Sequence, residues 1–191
     1  MQKIFISLFI VCSFWVPVKA DGADDARVFV TDVVTKALNI INHDSMKDVD
    51  KRKALSESIT DSFDLNRIAG AVFTTAKYKY KHLDSEDQKL VQRYLKQYLL
   101  DFYASEGKLN AMVNARLDNV TKVEAKDKDF AVTTKFIKDG KSTEIVWITD
   151  GKSIFYVIIA GVNQVITLKS EMAAAIGDEP LVEYARAKLV K

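Results

Sequence analysis

The hydrophobic period changes once along this chain, near Ala115, and that change limits the fold more than any other feature. Before it, apolar residues recur every three or four positions, the spacing that lines them up on one side of an α-helix. Val30, Val33, Val34, Ala37, Leu38 and Ile41 predict a first helix over 24–42. Leu55, Ile59 and Phe63 mark one side of a more polar second helix over 49–62. Asp64 is placed to cap a third, with Leu65, Ile68, Ala69, Val72 and Phe73 turned inward. Ser85 and Gln88 have capping-box spacing ahead of Leu90, Val91, Tyr94, Leu95, Tyr98, Leu99, Phe102 and Tyr103. A fourth helix is expected there, ended by Gly107.

After Ala115 the period is two, which means strands. They are expected over 117–125, 130–138 and 143–149, with Asp139-Gly140 and Asp150-Gly151 as tight turns. Phe130, Val132, Thr134 and Phe136 share one face of the second strand, and Ala131, Thr133, Lys135 and Ile137 share the other. Residues 154–160 are apolar on both faces, as in a strand covered from two sides or one facing a second apolar compartment. The Lys- and Asp-rich run 122–129 reads as a solvated hairpin tip. A helix from Asn163 carries Val165, Ile166, Leu168, Met172 and Ile176 and ends at Gly177; Pro180 opens a last one to about Leu189. The fold class is α+β: N-terminal helices, a four-stranded antiparallel meander resembling the cone-like, NTF2-like sheets, and C-terminal helices.

Met1–Ala20 has a different character: a short basic start, an apolar run from Ile4 to Val18, then Val18-Lys19-Ala20. That is the pattern of a secretory leader cleaved after Ala20, and the run is too short for a spanning helix. Residues 21–191 then form a single exported domain. The net charge of +2 belongs to Lys3 and Lys19, so 21–191 carry equal numbers of acids and bases. A neutral domain offers nucleic acid no general attraction. The single cysteine, Cys12, lies in the leader, which removes disulfides, thiolate metal sites and cysteine nucleophiles from the domain.

Catalytic signals are missing too. His43 and His82 have no companions at metal spacing, and both read as surface residues. No serine sits in a nucleophile elbow, and no glycine-rich loop follows a strand. An acid–base enzyme on this scaffold would need a buried carboxylate, for which Asp101 is a candidate. The chain is rich instead in apolar surface: the broad stripe of the fourth helix, and Phe130, Phe136, Trp147, Phe155 and Tyr156 on the sheet. Such residues make either an ordinary core or a dry cavity between helices and sheet, wide enough for an acyl chain. A protein-binding adaptor or chaperone face is a third use for them.

Several segments in order resemble one family. Asp64-Leu65-Asn66-Arg67-Ile68-Ala69, then Asp84-Ser85-Glu86-Asp87-Gln88, then Tyr98-Leu99-Leu100-Asp101-Phe102-Tyr103-Ala104 are similar to the MlaC toluene-tolerance family. Gly161-Val162-Asn163 and Lys169-Ser170-Glu171-Met172 continue the likeness. The chain departs from the pattern with Tyr156 where Asp is common, Ala160 for Glu, Asn163 for Ser, and a longer segment from Tyr78 to Leu83. The resemblance implies a periplasmic carrier without cofactor, metal or catalytic residues. Such a carrier holds phospholipid by its acyl chains between an outer-membrane lipoprotein complex and an inner-membrane MCE-type ABC transporter complex. Phe73, Tyr98, Phe102, Phe136, Trp147, Phe155, Val157, Ile159 and Val162 are expected to contribute the wall of its lipid pocket.

Overall fold

The computed structural model describes residues 20–190 apart from 76, 104, 106–108, 110 and 111. The leader, but for Ala20, and Gly107 lie outside the described residues. The helices are α1 (Ala20–Ile41), α2 (Asp48–Ser62), α3 (Leu65–Val72), α4 (Ser85–Tyr103), α5 (Gln164–Ile176) and α6 (Leu181–Leu189), with a 3-10 turn at Tyr80–His82. Five strands form one antiparallel sheet in chain order: β1 (Arg116–Lys126), β2 (Asp129–Lys138), β3 (Lys141–Thr149), β4 (Ile154–Ile159) and β5 (Val162–Asn163). The meander expected from sequence therefore has one more strand. β5 is two residues long, too short for a period to show, and it exists because Ala160 and Gly161 turn the chain back so that Val162 pairs with Ile159.

Both turn residues have positive φ, 49° at Ala160 and 82° at Gly161. That suits glycine but crowds the Cβ of alanine. Replacing Ala160 by glycine should therefore stabilise the domain by about 0.5–1 kcal/mol, seen as a higher urea midpoint with an unchanged slope.

The helix caps follow local chemistry. The Asp64 carboxylate accepts the Arg67 N–H at 2.8 Å, and Asn163 Oδ1 accepts from Val165 and Ile166 at 3.0 and 3.4 Å. For α4 the cap is Asp84, which accepts from the N–H groups of Glu86 and Asp87, in place of the expected Ser85 box. Gln88 donates to the Leu83 carbonyl instead, tying the helix start to the 3-10 turn.

Three groups of buried side chains hold these elements together. In the first, Val72, Phe73, Leu95, Phe155 and Met172 join α3, α4, α5 and β4, and Tyr184 of α6 meets Tyr94 edge-on at 5.6 Å. Burial foremost, with Tyr184 alongside, pushes the Tyr94 hydroxyl pKa far above its ordinary value, so it stays a neutral core group. In the second, Ala26, Val30, Val34 and Leu38 of α1 lie on the sheet against Val132. The approach is close at the start of α1: a Cβ on Gly22 would sit 2.9 Å from the Phe130 ring. The third joins Ile41, Leu55, Leu100 and Leu109 beneath α2.

Candidate functional site

Register decides which apolar residues share a face, because directly paired residues in an antiparallel sheet point the same way. Thr134 pairs with Ile145, which pairs with Ile159, which pairs with Val162. Val132 pairs with Trp147, which pairs with Val157, and Phe136 lies two residues along β2 from Thr134. Phe136, Ile145, Trp147, Val157, Ile159 and Val162 therefore form one sheet face, the face on which α1 lies. The face is incompletely covered. Phe136, Ile145, Trp147, Val157 and Ile159 are each half-buried, and Val162 is 54% exposed. Trp147 is fixed within it: Nε1 donates to the Thr134 hydroxyl at 2.8 Å, and that hydroxyl donates to the Ile145 carbonyl at 3.1 Å.

The other expected wall residues divide. Phe73 and Phe155 are fully buried in the helical core. Phe155 leaves the row because the register shifts between Ile148 and Thr149, just where it would have joined. On α4, Tyr98 and Phe102 stack nearly parallel, 6.3 Å apart, with Phe102 38% exposed. The Tyr98 hydroxyl donates to Glu171 of α5 at 3.0 Å. Ile145, not among the expected wall residues, joins this face through its pairing with Thr134 and Ile159.

Arg67 and Asp129 do something the sequence did not reveal. The Arg67 guanidinium makes two parallel bonds to the Asp129 carboxylate, at 2.6 and 3.2 Å, and lies 3.4 Å above the Phe155 ring. Asp129 is therefore no part of a solvated hairpin tip; it locks the β1–β2 hairpin to α3. The bond to Asp129 also holds the Arg67 pKa above its ordinary value, so the charge is permanent. Arg67→Ala removes the fork and strands a mostly buried carboxylate, so a loss of about 2–3 kcal/mol is expected in urea unfolding. Arg67→Lys should recover only part of it, because an ammonium cannot make both bonds.

The family model described as MlaC protein matches residues 31–187. The chain belongs to the MlaC family. It is also similar to the solved structure of a phospholipid-binding protein from Ralstonia solanacearum in complex with a phospholipid. The TM-score is 0.65 at 18% identity, covering 87% of this chain and 99% of that one. At that identity the likeness is one of fold. No curated protein matches the chain.

In this MlaC-family chain, the residues that carried the resemblance are largely structural. Asp64 and Arg67 cap and anchor α3, Asp84 caps α4, and Asn163 caps α5. Asp101 is an exposed member of a surface link, receiving Arg52 from α2 and Gln97 from its own helix. His43 and His82 are both exposed. Among the described residues no group of three or more His, Cys, Asp or Glu could hold a metal ion.

A separate open cleft of about 830 Å3 lies between α3 and α5. None of the expected wall residues lines it. Tyr156 and Asn163 do, and their parity puts them on the sheet face opposite Val157, Ile159 and Val162.

Proposed function

We propose that the chain is a phospholipid carrier, holding acyl chains on the α1-side face of β2–β5. The observation that carries this reading is the row Phe136, Ile145, Trp147, Val157 and Ile159, apolar and half-covered in a chain of the MlaC family. Burying acyl chain against such a row gains about 0.8 kcal/mol per methylene, so no charged grip is needed. Phe73 and Phe155 belong to the helical core and Tyr98, with Phe102 stacked on it, packs against that core, so of the remaining expected residues only Val162 adjoins the row. The bound phospholipid of the Ralstonia solanacearum protein supports the ligand class.

A binding role suits the chemistry better than catalysis. The acid nominated for an enzyme, Asp101, is surface-exposed and already paired, and none of the sheet-face residues above ionises. We place the carrier in the periplasm, reached through the leader at 1–20, exchanging lipid with an outer-membrane lipoprotein complex and an inner-membrane MCE-type transporter complex. Neutrality of residues 21–191 fits this traffic, since a basic surface would be retained by anionic lipid.

Trp147 supplies a direct reporter. A phospholipid brominated on its acyl chains should quench the fluorescence of this indole, and the quenching should vanish in Trp147→Phe. Unquenched Trp147 at saturating lipid would contradict the proposed site.

A further inference from the structure

The segment from Lys77 to His82 alternates lysines with tyrosines, and its structure explains the alternation. Tyr78 and Tyr80 are buried against Phe73, at ring distances of 5.8 and 6.5 Å, while Lys77, Lys79 and Lys81 point outward. Two anchored rings thus display a short basic loop. Lys77 is spent on Asp178 of the α5–α6 connection, but Lys81 has no ion-pair or hydrogen-bond partner among the described residues. It borders the cleft between α3 and α5.

The remaining walls have matching chemistry. Arg67, Gly70, Ala71 and Thr74 follow one another at helical spacing along the α3 side, with the two smallest at the centre. From α5 comes Lys169, whose ammonium is 3.1 Å from the Thr74 hydroxyl. Of the charged groups lining the cleft, Arg67 is paired with Asp129 and Asp64 caps α3, which leaves the ammonium groups of Lys81 and Lys169. Gly70 is telling. A Cβ there would meet only ordinary contacts, the nearest being Lys81 Cε at 3.6 Å, so packing does not demand glycine in mid-helix. Gly70 is itself buried, and the Lys81 and Tyr80 side chains lie over it, so the glycine brings Lys81 close to the α3 backbone.

We propose that this cleft binds a phosphate group through Lys81 and Lys169 over the floor at Gly70, on the sheet face opposite the acyl-chain row. Phosphate matches paired ammonium groups as a compact multivalent acceptor, and the same chemistry arrives either as free phosphate or as a lipid headgroup. The Arg67 guanidinium is neutralised by Asp129, so the two lysines supply the charge.

Amide NMR of the full chain can test this with two probes at constant ionic strength: inorganic phosphate, and dihexanoyl phosphatidylglycerol kept below its micelle concentration. Saturable shifts at Gly70, Ala71, Lys81 and Lys169 are expected, with affinity about tenfold weaker in K81Q/K169Q. Shifts with both probes assign the site to phosphate itself; shifts with the lipid alone assign it to a headgroup. No saturable shift with either, an equal shift with chloride, or unchanged affinity in the variant overturns the proposal. Lys81 is exposed and Lys169 half-buried with a single bond to Thr74, which glutamine can also donate, so the variant should stay close to the parent melting temperature. Quenching of Trp147 by brominated lipid should also survive in K81Q/K169Q, so failure of one site is distinguishable from failure of the other.

Discussion

Phe155→Ala should destabilise the domain by about 3–5 kcal/mol, the cost of emptying a large fully buried aromatic site. The ring is 1% exposed and meets Tyr156 edge-on at 5.6 Å, with the Arg67 guanidinium above it. Removing it leaves a cavity among α3, α4 and α5 and takes the aromatic face from beneath a fixed charge. Urea unfolding followed by circular dichroism measures the loss, and the melting temperature should fall by about 10 °C. Phe155→Leu keeps most of the volume and should cost under half as much. A small effect of Phe155→Ala would mean that Phe155 lines open space, as the sequence alone allowed.

Ile159→Glu and Ile158→Glu should behave oppositely although the residues are neighbours. Ile159 pairs with Ile145 and Val162 on the proposed acyl-chain face; Ile158 pairs with Val146 and Asn163 on the other. Both are half-buried, so the burden on folding is similar. A carboxylate set against hydrocarbon must either keep its water or take up a proton, at a cost of about 2–4 kcal/mol near neutral pH. Ile159→Glu should thus weaken phospholipid binding about thirtyfold or more, and Ile158→Glu little. Titration of each variant with brominated phospholipid, read at Trp147, makes the comparison. Equal losses would contradict the assignment of faces.

The large elements were legible because each has enough residues to show a period. The stripe of α1 and the alternation of β2 appear at the expected positions, and the Asp64 cap was readable from type and place alone. What escaped depended on contacts far apart in sequence. Asp129 looked solvated because Arg67, its partner, lies 62 positions away. The cleft was invisible for the same reason, being assembled from α3, the 3-10 turn, α5 and the sheet. Strand β4 was ambiguous in principle: with apolar residues on both sides, only its pairing with Trp147 and Ile145 fixes which of them face α1. Phe73 and Phe155 show the limit of composition, since a core aromatic and a pocket aromatic are spelled alike.

The most direct test of the central claim is native mass spectrometry of the purified chain, followed by gentle organic denaturation and analysis of what is released. The account predicts a protein mass raised by a bound phospholipid, which is recovered intact on denaturation and is greatly reduced in Ile159→Glu. A clean protein mass with no lipid released would contradict it.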